Sequence, residues 1–277
     1  MTTGNLIDAI SVYENAFTKS EVILYDYLKD KIDDIIYMSV TELAETINVG
    51  ESTILRFCRK VGYKGYQDFK LNVAQYRGAG LMDRTIDKSE SLRDVVKESL
   101  INSINKSSML IQDSDLTEAV ELLDKANRVI FIGVGSSGVA AQEAKYRFMR
   151  IGKKYDAFTD SHFMMMIAST LQEGDAVVAF TLSGGTKDTV DTCRLARENG
   201  AKVLAITSYL KSPITKNADR VLLTSGKEGP FEGGSLFAKV SQLYIIDLLF
   251  TFTAQLNKDF AKGYQNKIAK SITDKSY

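Results

Sequence analysis

The chain is poor in the residues that build disulfide frameworks and metal sites: it has two cysteines and one histidine among 277 residues. Cys58 and Cys193 lie far apart, and both fall inside helical patterns. No Cys/His spacing matches a zinc-ligand set, so a structural metal is not expected. The two thiols read as buried and free, which fits a reducing cytosol. No apolar run reaches the 18 or so residues of a membrane span. The opening "MTTGNLIDAISVYENAF" has no basic stretch leading into an apolar one, so a signal peptide is not expected. A cytoplasmic location away from the membrane follows. Net charge is also missing, with 35 basic residues against 35 acidic ones, which by itself argues against nucleic acid. What remains, 44% apolar and 25% charged, is the composition of an ordinary globular protein.

Charge distribution says more than the sum. Between residues 52 and 77 stand Arg56, Arg59, Lys60, Lys64, Lys70 and Arg77, with Asp68 the single acid. Residues 1–51 are acidic by contrast. Residues 1–77 read as helical throughout. Thr18-Lys-Ser-Glu21 and Ser39-Val-Thr-Glu42 are capping boxes, in which each side chain caps the other's backbone N–H. In "VTELAETINVGESTILRFCR", residues 40–59, Leu43, Ile47, Val49, Ile54 and Phe57 are apolar and Ala44 is small. That is the spacing of two helices packed tightly across a short turn, a helix-turn-helix. Asn48 takes the turn position that favours glycine, and asparagine tolerates positive φ. A plain helical hairpin shares this pattern, but the basic block favours DNA. Ser52 and Arg56 share a face at i and i+4 of the second helix. Arg56 is the candidate base reader, with Ser52 and Thr53 at the helix start. Arg59, Lys60 and Lys64 are candidate phosphate contacts.

Residues 78–90 have little hydrophobic periodicity and read as a linker to a second domain, 91–277. Two helices are expected at 91–112 and 115–126, the second capped by Asp113 or Ser114. From Arg128 the texture changes. "RVIFIG", "KKYDAF", "AVVAFT", "KVLAIT" and "RVLLT" alternate with amphipathic stretches, which implies a five-stranded parallel, doubly wound sheet. "SLFAKVSQLYIIDLLFTF", within roughly 233–256, reads as a helix too apolar for a one-sided surface position: a core helix or one buried between subunits. "VIFIGVGSSG" at 129–138 is echoed by "VVAFTLSGGT" at 177–186, and Gly152 by Gly200, at one constant offset of 48 residues. The two loops are therefore equivalent places at the carboxyl edge of one sheet, where such sheets bind ligands.

Gly133-Val-Gly135-Ser-Ser-Gly138 matches the dinucleotide-binding pattern, with Asp156 or Asp160 within range of a ribose. Against that reading, both loops are rich in hydroxyls, from Ser136 and Ser137 in the first and Thr181, Ser183 and Thr186 in the second. No hydride-transfer site is visible. Paired hydroxyl loops, each opening a helix, suit a compact ligand that carries a phosphate and many OH groups.

"AVVAFTLSGGTKDTVDTCRLARENGAKVLAITS" resembles the second loop of a sugar isomerase (SIS) domain, with "GVGSSG" as its first. "TELAETINVGESTILRFCRKVGYKGYQDFK" resembles the helix-turn-helix of the RpiR family of bacterial transcriptional regulators. The resemblance runs from about residue 5 to 255, in that family's domain order. It implies a flavodoxin-like strand order, no cofactor, a homodimer or higher oligomer, operator DNA as partner and a phosphosugar effector. Carried over by position, Ser136, Ser183 and Thr186 would hold phosphate, with Ser137, Thr181 and Gly185 beside it. His162, Glu232 and Lys239 would meet sugar hydroxyls, the last two across a dimer. Gly50 stands where the family has a serine cap, and Glu232 and Lys239 stand where many members have arginines. The expected function is a regulator of sugar catabolism controlled by a sugar phosphate, with an N-acetylhexosamine 6-phosphate as first candidate. The alternative is an aldose–ketose phosphate isomerase, with His162 or Glu232 as base.

Overall fold

Both predicted capping boxes form at the helix starts of the first unit. In the computed structural model, which describes residues 4–77, 91–152, 154–226 and 236–273, Thr18 caps α2 (Lys19–Lys31) and Ser39 caps α3 (Val40–Thr46). Glu21 and Glu42 accept bonds of 2.7 and 2.9 Å from the backbone N–H groups of their capping residues. α1 (Gly4–Ser11), α4 (Glu51–Lys60) and α5 (Tyr66–Arg77) complete this unit. Asn48 makes the α3–α4 turn at φ 54°. Gly50 opens α4 without a side-chain cap. Leu43, Ala44, Ile54 and Phe57 are buried with Leu24, Leu28 and Phe69 in one core. Cys58 is buried there as a free thiol, and desolvation pushes it up to about 12.

The described residues fall into two compact units, 4–95 and 96–273. The stretch read as a linker, 78–90, lies outside the described residues, as does Glu232. α6 (Leu92–Leu110) and α7 (Asp113–Lys125) precede the sheet. The expected cap of α7 is displaced by one residue: Gln112 is the N-cap and makes no side-chain bond. Asp113 and Asp115 lie in the first turn instead, where their charge complements the helix dipole.

The sheet is β1 (Val129–Ile132), β2 (Tyr155–Phe158), β3 (Ala176–Phe180), β4 (Lys202–Thr207) and β5 (Arg220–Leu223). Its order is β2-β1-β3-β4-β5 and every pair is parallel, the flavodoxin-like order. Helices cover both faces, so β1 and β3 are buried along their whole length. Val129 and Phe131 face a core built with α7, α8 (Ser136–Phe148) and α11 (Leu236–Leu256). Ile130 and Ile132 face the opposite core, with α9 (Ser161–Ala168) and α10 (Lys187–Glu198). Gly152 and Gly200 close equivalent segments with positive φ, as the repeat implied.

α11 contains no unbroken apolar run of 18 residues, as the sequence reading has it, yet over its 21 residues it is long and apolar enough to cross a membrane. Ala238, Ser241, Gln242, Ile245, Ile246, Leu249 and Thr253 are buried inside the unit, so it is a core helix of the sheet. α12 (Lys258–Thr273) was not anticipated. It lays Tyr264 over Gly152, where a Cβ would sit 2.3 Å from the ring.

Candidate functional site

Parallel pairing of β1 with β3 brings the two echoed loops side by side at the carboxyl edge. In the first loop Gly135 adopts φ 60°, ψ −126°, a conformation that L side chains rarely take. α8 starts at the next residue and presents its free N–H groups at the loop. Ser136 Oγ is buried without a hydrogen-bond partner. An unmade bond at a buried hydroxyl costs about 1–3 kcal/mol, and an anionic oxygen at the helix N-terminus would supply the missing acceptor. Ser137 is buried and accepts a bond from Gln242 Nε2 of α11 at 3.3 Å.

In the second loop, Gly184 turns at φ 64°, where a Cβ would lie 2.1 Å from Ser212 Oγ. Thr181 Oγ1 and Thr186 Oγ1 are 3.4 Å apart, and Ser183 Oγ accepts from Gly185 N–H at 3.3 Å. Thr186 is the N-cap of α10, with no bond from its side chain to the helix. Its hydroxyl faces Thr181 instead. The six sequence-selected residues Ser136, Ser137, Thr181, Ser183, Gly185 and Thr186 are thus held on two adjacent loops, each opening a helix.

The remaining candidates separate. His162 is exposed in the first turn of α9, with its backbone N–H on Asp160 Oδ1 at 3.0 Å. Lys239 lines a groove of about 530 Å³ with Val139 and Glu143 of α8. The two acids that a dinucleotide would need are both engaged. Asp160 caps α9, and Asp156 pairs with Lys145 at 2.6 Å. Burial would raise the Asp156 carboxyl, but the bonds from Lys145 and the Ala157 N–H hold it below its ordinary value. Sequence reasoning missed Gln242. A polar residue inside an apolar helix was the available signal, and the pattern alone could not say which loop it meets.

On α4, Ser52, Arg56 and Arg59 are exposed, and Lys64 is exposed just beyond the helix. Two further members of the predicted DNA set are placed differently. Thr53 is buried and takes a long 3.4 Å bond from Arg56. Lys60 is turned inward: its ammonium lies 2.5 Å from Glu21 Oε2 and donates to Ala16 O at 2.9 Å. Glu21 is buried, and burial alone would raise its pKa. Bonds from Lys60 and from Thr18 outweigh that and lower it. Lys60 thus ties the end of α4 to α2 and to the segment before it.

Two family models match this chain. The helix-turn-helix domain model of the rpiR family matches residues 4–79, and the SIS domain model matches 122–252. A helix-turn-helix transcriptional regulator of Haemophilus influenzae, itself uncharacterised, is 33% identical over 98% of both chains. This chain belongs to the RpiR family of helix-turn-helix transcriptional regulators. Within the RpiR family, the Escherichia coli regulator RpiR is 30% identical, over 79% of this chain and 76% of its own length. The solved structure of Vibrio vulnificus NanR complexed with ManNAc-6P superposes with a TM-score of 0.89, at 28% identity, over 98% of this chain and 99% of that one. The RpiR-family assignment covers both parts of the chain, the helix-turn-helix and the sheet edge lined with hydroxyls.

Proposed function

We propose that this RpiR-family regulator binds operator DNA through α4 and is controlled by an N-acetylhexosamine 6-phosphate held between the loops 133–138 and 181–186. The observation that carries the reading is the pairing of two hydroxyl-bearing helix starts, with Ser136 Oγ buried and unpartnered in one of them. The phosphate sits on the α8 and α10 N-termini, and Ser136, Ser183 and Thr186 bond it. His162, and Glu232 and Lys239 of a second copy, meet the sugar. The choice of an acetamido sugar rests on the ManNAc-6P carried by the NanR structure. Residues 1–77 form the DNA unit, 78–90 a linker and 91–277 the effector unit. The protein acts in the cytoplasm as at least a dimer, since a two-fold operator is read by two helices about one DNA turn apart. The effector binds the two states of that dimer with different affinity, and so changes DNA binding. Regulation is favoured over isomerisation because a catalyst of sugar interconversion has no use for a basic reading helix.

A panel of phosphosugars tests the ligand. N-acetylmannosamine 6-phosphate or N-acetylglucosamine 6-phosphate at 100 times its Kd should stabilise the protein by about 2.7 kcal/mol, and should alter a gel shift on duplexes selected by the protein from a random pool. Adenine dinucleotides that stabilise the protein where no phosphosugar does would overturn the assignment, and steady turnover in a coupled isomerase assay would overturn the regulator reading.

DNA contacts have a separate signature. Arg56→Ala should weaken binding to the selected duplex by about 1–3 kcal/mol and relax its sequence preference. Arg59→Ala should weaken all sequences alike and reduce the salt slope by about one counterion. Equal effects of both variants on every sequence would remove Arg56 as the base reader.

A further inference from the structure

Gln242 is fully buried in α11, and its two amide ends have different fates. Nε2 bonds Ser137 Oγ in the first effector loop, and Oε1 is buried with no partner. One turn and a half towards the N-terminus of the same helix, the Phe237 carbonyl accepts a bond from Ser103 Oγ of α6 at 2.8 Å. Ser103 belongs to a small buried hydroxyl cluster. Ser225, just after β5, donates to Ser103 O at 2.8 Å, and Ser107 Oγ lies 3.0 Å from Ser225 Oγ. The second effector loop reaches the same place. A Cβ on Gly226 would lie 2.9 Å from Ala238 Cβ of α11 and 3.5 Å from Leu182 Cδ2 of the loop. The first loop is therefore bonded to α11, Gly226 lies between Ala238 of α11 and Leu182 of the second loop, and the first half of α11 is bonded to α6. α6 in turn begins at Leu92, where the chain leaves the segment 78–90.

We propose that α11 reports occupation of the paired loops to α6, with Gln242 as the positioning residue that senses the first loop and Ser103 as the residue that couples α11 to α6. This rests on the effector reading above. An amide can face the Ser137 hydroxyl with either end. When a ligand oxygen accepts a hydrogen bond from Ser137, the amide must donate, and each bond in such a chain strengthens the next. In the empty loop the chain ends at Ser137, the Nε2 bond is the long 3.3 Å one seen here, and the amide is free to turn its Oε1 end to the hydroxyl instead. A fully buried amide with one end unpaired is thus a two-setting element, and two settings are what a coupling device needs. The rotation that exchanges them acts on α11 a turn and a half from the carbonyl that Ser103 holds.

Gln242→Met and Ser103→Ala test this in the full chain, with N-acetylmannosamine 6-phosphate as effector and a duplex selected by the wild type as DNA. Three quantities are read: the melting temperature, the effector Kd, and the ratio of DNA Kd with and without effector. In the wild type that ratio should be about tenfold, within the usual range of coupling. Both variants should fold and bind DNA alone as the wild type does; Ser103→Ala should bind effector within about threefold of the wild type, and in both variants the ratio, read at saturating effector, should fall below about twofold. Retention of the full ratio in either variant that still binds effector overturns the relay. Loss of effector binding in Gln242→Met also overturns it, because Gln242 then merely holds the loop. Should Gln242→Met fail to fold, Ser103→Ala alone decides. If the wild type itself binds no phosphosugar, the effector reading falls and takes the relay with it, a result separate from a wild type that couples and variants that couple equally well.

Discussion

Replacing Gly133 by alanine should abolish effector binding and lower the melting temperature of the SIS unit by roughly 6–12 °C. A Cβ at this position would lie 2.6 Å from the Ser137 carbonyl oxygen and 2.7 Å from its carbon. Both are backbone atoms of the first turn of α8, so no rotamer can relieve the contact. The helix start has to move, and with it the N–H groups and the Ser136 hydroxyl that face the ligand. Forced overpacking of this kind costs about 3 kcal/mol, and each kcal/mol is worth about 2–4 °C in a domain of this size. Gly185→Ala is the matched control for stability. The nearest atom to a Cβ there is 3.9 Å away, and the residue has no positive φ. Its melting temperature should stay close to the wild type. Differential scanning fluorimetry with and without N-acetylmannosamine 6-phosphate separates the two variants. A Gly133→Ala protein with wild-type stability and a full ligand shift would show that close approach at this glycine does not shape the site.

The glycine pattern was legible in the sequence because it marks a local need: a strand must turn at once into a helix, and two backbones must touch. The strands were legible for a related reason. A parallel sheet covered on both faces demands short, fully apolar runs, and "AVVAF" is buried at every position. The echo of 48 residues goes further and marks the two loops as equivalent places at the carboxyl edge of one sheet. What stayed hidden depends on long-range partners. Nothing near Lys60 in the chain distinguishes it from Arg59; its partner Glu21 is 39 residues away and was read only as half of a capping box. Gln242 meets Ser137 across 105 residues. Asp113 was read as a cap because aspartate favours both the cap and the first turn, and the choice between them lies in backbone angles at Gln112. Lys239 was assigned to the sugar by position in the family, whereas a single chain places it in a groove beside Val139.

Lys60→Met should destabilise the DNA-binding unit by about 2 kcal/mol and make its stability less sensitive to acid. The Glu21 side chain is 4% exposed and that of Lys60 is 30% exposed, so this pair is dry on one side only. Breaking a fully buried pair costs about 3–5 kcal/mol, and partial exposure of the lysine reduces the figure. In the wild type the Glu21 carboxyl sits below its ordinary value of 4.5. The folded state therefore binds fewer protons than the unfolded one, so the pair's contribution is complete above the unfolded pKa and fades as pH falls through the folded one. Without Lys60 its strongest opposing partner is gone, and only the Thr18 bonds still work against burial. The Glu21 carboxyl therefore moves up towards its unfolded value, and the variant loses less stability than the wild type as the pH is lowered through that range. Urea titrations of both proteins between neutral pH and pH 4 measure the two slopes. At neutral pH the midpoint of the variant should fall, while the salt slope of DNA binding by the folded fraction stays at the wild-type value, because the ammonium already faces Glu21 and not the duplex. A variant of unchanged stability with one counterion fewer released would return Lys60 to the set of phosphate contacts.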